Sequence, residues 1–414
     1  MSLTISSPAK TEVPFFRPML ADAEIAEVLD TLRSGWLTTG SKVKRFEAAF
    51  ASSVRARHAV ALNSCTAALH LAVEALELQP TQAVLVPTMT FAATAEVVRY
   101  QNAIPILVDC DPVTGNMCLQ DARSKLDRLR GGKLLRNHTS DIRVVGIMPV
   151  HVGGLMMNVA EVQAFAAEQG LWIVEDAAHS FPAAWRSGPD KPWQKCGEGT
   201  ADVSCFSFYA NKTITTGEGG MATSNNPNTS DRMRLMSLHG LSQDAWNRYA
   251  SGGKWDYKII APGFKYNLTD IAASIGLHQL ARAETMRLER ESIAFFYLEA
   301  MEHIVELELP PQDLNRIHSW HLFPIKLRLE KLTIDRNAFI DELKAAGVGC
   351  SVHWRPLHLH PYYEQTFGWQ AEEFPVATKL WERLISLPIF PGMQEQEMNY
   401  VVNTIRDLCR RYCS

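Results

Sequence analysis

The chain has 414 residues, more than one hydrophobic core normally organises, so a large domain with a smaller one is expected. Its composition, 46% hydrophobic and 21% charged with a formal net charge of −4, is that of an ordinary globular protein and excludes a disordered or fibrous one. The same balance lacks the basic excess that a nucleic-acid backbone demands, so an anionic ligand has to be met by a local pocket.

The N-terminal stretch MSLTISSPAKTEV has neither a signal-peptide core nor an arginine-rich amphipathic pattern, and it is expected to fray. Helical periodicity follows over Asp22 to Arg33 and Thr66 to Leu76. Short apolar runs then recur at Val84 to Val86, Ile104 to Val108, Val144 to Ile147 and Trp172 to Val174, with a helical segment at Ala160 to Gln169. That alternation is the βαβ signature of a largely parallel sheet covered on both faces. A long helix is expected over Thr269 to Ala300, linking one domain to the next. Beyond it, apolar runs at Leu322 to Leu327 and Val348 to Val352 alternate with helices at Asp335 to Ala346, Ala377 to Leu384 and Gln394 to Arg411. The pattern predicts an α/β large domain over residues 15–290 and a smaller α+β domain over 291–414. No apolar stretch reaches membrane-spanning length. The eight cysteines show no CxxC pair and no metal spacing, and are read as reduced thiols of a cytoplasmic protein without a metal site.

Three stretches carry chemistry. In NSCTAALHLA, Asn63 to Ala72, small polar residues precede an apolar helical run, which marks a helix N-terminus. Free amides and the helix dipole would hold an anion over Cys65 and Thr66, although a capped helix without ligand has the same sequence signature. In WIVEDAAHS, Asp176 and His179 follow an apolar strand at its carboxyl end, where open α/β sheets bind ligands. A helix-capping Asp176 and a satisfied core His179 are the alternative. In FSFYANKTITTGEGGM, Lys212 follows an apolar run and precedes the glycine-rich turn Gly217 to Gly220. A lone lysine is usually solvated, yet small and hydrophobic neighbours would lower the pKa of its amine, which is how a Schiff-base lysine is activated.

Together with SGWLTTG (Ser34 to Gly40), VPTMTFAATAEVV (Val86 to Val98), PVHVGG (Pro149 to Gly154), APGFKYNLTD (Ala261 to Asp270) and HSWHLFPI (His318 to Ile325), these motifs resemble the DegT/StrS family of sugar-nucleotide aminotransferases. The resemblance runs from Phe16 to Cys409 and points, within the family, to enzymes acting on UDP-4-keto sugars. It implies an aspartate-aminotransferase-like fold (PLP fold type I) and pyridoxal 5'-phosphate (PLP) as cofactor. It also implies an active site shared by two chains of a homodimer. Lys212 would hold the cofactor as a Schiff base and move the proton. Asp176 would pair with the pyridine nitrogen, keeping it protonated as an electron sink, and His179 would approach the 3-oxygen side. Phe91 would stack on the ring. The amides of Cys65 and Thr66 and the hydroxyl of Ser207 would hold the phosphate, with Asn267 reaching it from the other subunit.

Many relatives carry glycine where Cys65 stands, so a positive φ there would be strained. Thr38, Thr39, Arg248, Lys254, His321, His353 and Arg355 are weaker candidates for meeting the sugar, its diphosphate or the donor's carboxylate, and each also suits a surface or structural role. The implied reaction moves an amino group, with glutamate as the typical donor, to a UDP- or dTDP-linked 4-keto sugar. A PLP-dependent keto-sugar dehydratase is the rival, but those relatives carry histidine in place of Lys212. Amination of a non-nucleotide cyclitol ketone is excluded only weakly, and a PLP-binding regulator would be expected to carry an appended DNA-binding segment.

Overall fold

Four of the apolar runs predicted as strands lie side by side in a seven-stranded sheet, running from its middle to one edge. The computed structural model describes residues 12–132, 134, 142–242 and 258–414. Across the sheet the order is His58–Leu62, Gly220–Ser224, Val203–Ser207, Trp172–Asp176, Arg143–Ile147, Gln82–Pro87 and Ile104–Val108. All are parallel except Gly220–Ser224, which runs antiparallel to both of its neighbours. Strands such as Ile104–Val108 are buried at every position, which is why they appear as unbroken apolar runs and not as alternating ones.

Parallel strands place their carboxyl ends on one edge. Leu62, Pro87, Ile147, Asp176 and Ser207 all end there, and each is followed by a segment that turns back along the sheet. Helix Cys65–Ala75 follows the first of them and packs under the sheet with seven consecutive buried residues, Ala67 to Val73. The antiparallel strand begins at this same edge with Gly220. A Cβ at Gly220 would lie 2.4 Å from the Ser64 carbonyl and 2.6 Å from the Cys65 nitrogen, so only glycine lets the strand approach that helix terminus.

A second hydrophobic core, around Phe323, Ile325, Phe339, Leu387 and Ile405, gathers a three-stranded antiparallel sheet of Leu307–Glu308, Phe323–Leu327 and Leu384–Leu387. Helices Ala283–Met301, Arg336–Ala345 and Glu395–Arg411 pack on it, and Val13 joins it through backbone bonds to Gly347 and Gly349. Lys326 Nζ ties this unit to the large sheet by donating to the carbonyls of Pro112 and Val113, each at 3.0 Å. No helix among the described residues is long and apolar enough to cross a membrane.

The long helix expected over Thr269 to Ala300 is instead two, Asp270–Ala281 and Ala283–Met301, broken at Arg282 with φ −107° and ψ 3°. Gln279, just before the break, and Arg282, at it, are both tied to Glu24 of the first helix, and these tertiary bonds outweigh a helix-favouring sequence. Val348 to Val352 forms only isolated bridges, from Val348 to Val13 and from Ser351 to Ser386.

Candidate active site

The carboxyl edge of the sheet opens into a cavity of about 460 Å³. Its walls include Ser64, Cys65, Thr66, Thr90, Phe91, Asp176, His179, Ser207, Lys212 and, from the second unit, His353 and Trp354. The structure therefore brings together eight of the residues singled out in the sequence, drawn from five separate stretches.

At one end lies the N-terminus of helix Cys65–Ala75. Ser64 is the cap, its hydroxyl accepting the Ala67 N–H at 3.0 Å. The amides of Cys65 and Thr66, in the helix's first turn, have no intrahelical acceptor and form the positive end of its dipole. Cys65 is not among the residues with positive φ, so a side chain there introduces no backbone strain. Burial pushes its thiol well above the ordinary range. The Ser207 hydroxyl, at the end of its strand, accepts the Tyr209 N–H at 3.3 Å.

Asp176 ends the central strand and is 6% exposed. Its Oδ2 accepts the Thr94 hydroxyl at 2.7 Å and its Oδ1 accepts the Ala178 N–H at 3.2 Å. Burial raises its pKa, opposed by the Thr94 and Ala178 bonds and by the charge of Lys212. His179 is buried, with Nδ1 accepting the Gly153 N–H at 3.3 Å, which leaves the ring hydrogen on Nε2. Its ring stacks on Trp354 at 5.1 Å, and burial, then the charges of Lys212 and His353, hold it neutral. Phe91 stands 62% exposed at the cavity wall, with its ring available to a flat ligand.

Lys212 sits in the turn after strand Val203–Ser207, its N–H donating to the Tyr209 carbonyl. Burial lowers its pKa from 10.5 to about 8, the result expected from its apolar and small neighbours. Its Nζ lies 3.3 Å from Nε2 of His321. His321 is itself buried and held neutral, so it accepts this bond, and it is not among the residues lining the cavity. His353 lines the cavity, is anchored by Ser386 at 2.9 Å, and is lowered to a pKa of about 4 by burial.

Thr38, Thr39 and Asn267 lie outside this cavity and cluster together. The Asn267 amide donates to Thr39 Oγ1 at 2.7 Å, and Thr39 donates to the Leu268 carbonyl. Arg355 donates to the Leu359 carbonyl at 2.8 Å, also away from the cavity. Arg248 and Lys254 fall outside the described residues. Sequence reasoning missed Ser64, Thr90, Thr94, Tyr209 and Trp354. The two threonines stand within the motif VPTMTFAATAEVV, whose repeated hydroxyls beside an apolar strand were the available signal.

Comparison with known proteins gives the class: this is a PLP-dependent aminotransferase with the fold type I architecture. The chain belongs to the DegT/DnrJ/EryC1/StrS aminotransferase family, which matches residues 18–406. It is similar to the uncharacterized protein MJ1066 of Methanocaldococcus jannaschii, 41% identical over 396 residues that cover 96% of this chain and 97% of that one. The spore coat polysaccharide biosynthesis protein SpsC of Bacillus subtilis is 37% identical over 399 residues, covering 96% and 97%. Among solved structures, Spr1654 from Streptococcus pneumoniae, provisionally named a sugar aminotransferase, matches in its PMP form with 30% identity and a TM-score of 0.85. That match covers 96% of this chain and 99% of the other. Its PLP form matches with a TM-score of 0.84.

Proposed function

We propose that this protein transfers an amino group from an amino acid, L-glutamate, to a nucleotide-linked keto sugar, a UDP- or dTDP-4-keto sugar, in cytoplasmic amino-sugar biosynthesis. The observation that carries the proposal is the placement of the Lys212 amine, with a pKa of about 8, in one cavity with the buried carboxylate of Asp176 and the helix terminus at Cys65 and Thr66. That donor set suits PLP: an amine for its aldehyde, an anion for its ring nitrogen, and amides with a hydroxyl for its phosphate. The names of SpsC and Spr1654 support a sugar acceptor.

Each side chain then has a task. Asp176 would face the ring nitrogen, Phe91 the ring, His179 the 3-oxygen side, and Cys65, Thr66 and Ser207 the phosphate. Bound there, PLP supplies an electron sink for negative charge developing at a substrate carbon. Lys212 Nζ takes the proton from the α-carbon of the amino donor and, in the second half, returns one to the former carbonyl carbon of the sugar. An amine with a pKa of about 8 is present near neutral pH in both forms, free to take a proton and protonated to return one. Neutral His321 beside it holds the amine by accepting its hydrogen. His353 is the remaining candidate for contact with substrate inside the cavity.

The working form is proposed to be a homodimer. Ile25, Leu29 and Leu32 form an exposed apolar stripe on helix Asp22–Ser34, continued by exposed Trp36 and Leu37. That stripe leads directly to Thr39 and its partner Asn267, which would meet the phosphate of the other chain. The decisive experiment loads the enzyme as its pyridoxamine form and follows its consumption by a panel of nucleotide-linked keto sugars, unlinked keto sugars and cyclitol ketones. Consumption by a nucleotide-linked 4-keto sugar is expected; consumption by unlinked ketones alone would overturn the substrate assignment.

A further inference from the structure

We infer that Thr94 is a positioning residue for amino transfer: its hydroxyl, backed by that of Thr90, fixes the orientation of the Asp176 carboxylate toward the cofactor ring. The inference rests on the proposed pairing of Asp176 with the ring nitrogen, and it assigns that carboxylate's alignment to residues from another element.

Thr94 is the second residue of helix Ala93–Tyr100 and is 0% exposed; Thr90, on the segment leading into that helix, is 1% exposed. Thr94 Oγ1 lies 2.7 Å from Asp176 Oδ2, 2.7 Å from Thr90 Oγ1 and 3.3 Å from the Phe91 carbonyl. A threonine has one hydroxyl hydrogen, and an ionised carboxylate only accepts. The hydrogen of Thr94 therefore goes to Asp176, along the shorter of its two acceptor contacts, and the hydrogen of Thr90 goes to Thr94. The bonds form a directed chain, Thr90 to Thr94 to Asp176, and a donor polarised in this way is strengthened.

The carboxylate is thus gripped by two donors from different parts of the sheet edge. Thr94 arrives from the helix that follows Gln82–Pro87, and the Ala178 amide from the turn after Asp176 itself, at the longer distance of 3.2 Å. Without Thr94 only the longer bond would remain, and the carboxylate plane would be free to turn about its last torsion. Burial raises the pKa of Asp176, and the Thr94 bond is the largest influence opposing it, so the same hydroxyl also favours the charged form. Phe91, on the same short segment as both threonines, lines the cavity. One turn of chain would therefore set both the face and the edge of the bound ring.

The test uses holoenzyme reconstituted with PLP carrying nitrogen-15 in the ring. Thr94→Val removes the hydroxyl at constant shape, Thr94→Ala removes it in a residue that favours the helix if the valine variant folds poorly, and Thr94→Ser restores it. Wild type should give a protonated-ring nitrogen signal. Thr94→Val or Thr94→Ala should move that signal toward the unprotonated position and lower kcat about ten- to a hundred-fold, the effect of losing a hydrogen bond to a charged group. KM for both substrates should stay near wild type, and Thr94→Ser should recover signal and kcat together. A wild-type ring signal with normal kcat in the variants lacking the hydroxyl overturns the role of Thr94 while leaving the Asp176 pairing intact. A wild-type ring nitrogen already unprotonated overturns the pairing itself, and the inference with it.

Discussion

Replacing Lys212 with methionine should stabilise the cofactor-free protein at neutral pH, because the site holds a cation where the fold disfavours one. Burial lowers the amine's pKa from 10.5 to about 8. For a base whose folded pKa is depressed, the penalty is fully present below the folded value. It fades as pH rises from about 8 toward 10.5, where the unfolded chain still holds a proton that the folded chain has released. At 1.36 kcal/mol per pKa unit the penalty is about 3 kcal/mol. The cavity opens to water, which screens the charge, and methionine forfeits the bond to His321, itself about 1 kcal/mol. A net gain of about 1–2 kcal/mol remains for the variant at pH 7. Melting both cofactor-free proteins across pH 7 to 10.5 measures it. The variant should melt higher at pH 7, and its advantage should shrink to nothing or reverse by pH 10.5. Equal stability at pH 7, or an advantage that grows with pH, would refute the account of Lys212 as a desolvated amine.

Borohydride reduction of the holoenzyme followed by peptide mapping should place the cofactor on Lys212, and Lys212→Ala should abolish turnover; labelling at another lysine would move the site. Asp176→Asn should slow both half-reactions far more than it lowers the melting temperature, and an unstable variant with normal rates would mark Asp176 as structural. Gly220→Ala should cost at least about 1–3 kcal/mol of stability and weaken PLP retention, since its Cβ would press on the Ser64 carbonyl and the Cys65 amide; a chemical melt and a cofactor titration check the pair. Mixing Lys212→Ala with Asn267→Ala chains should give heterodimers with one site intact and one lacking both residues, so activity should exceed that of the separate homodimers. No complementation despite demonstrated chain exchange would remove Asn267 from the partner's site.

The α/β character was legible because strands of the large sheet are buried on both faces, even at its edge. Ile104–Val108 has no exposed position, so its sequence had no room for polar alternation. Strand Gly220–Ser224 was hidden by the opposite circumstance. Its sequence, GMATS, begins with a residue depleted in strands, and glycine stands there because the neighbouring helix terminus leaves no space for a Cβ. The break at Arg282 was equally invisible. Neither glycine nor proline marks it, and its partner Glu24 lies more than 250 residues away in the chain.

The same distinction between local and distant causes divides the site. Asp176 could be located from sequence because it ends an apolar strand, and parallel strands deliver their carboxyl ends to one edge whatever else the chain does, whereas Ser207 was named only through the family resemblance. Cys65 and Thr66 could be located because a small polar stretch before an apolar helix exposes amides by its own geometry. Trp354, His353 and His321 obey no such rule. They come from the second unit and reach the site only because that unit's core, built on Phe323 and Leu387, is clasped to the sheet by contacts such as Lys326 on the carbonyls of Pro112 and Val113. Their effect on the site is nonetheless direct. His321 accepts from the amine, His353 lines the cavity, and Trp354 stacks on His179. The amine's environment thus depends on how the two units sit against each other. A substitution that loosened the clasp, far from Lys212 in sequence, should therefore alter the lysine's protonation before it alters the sheet.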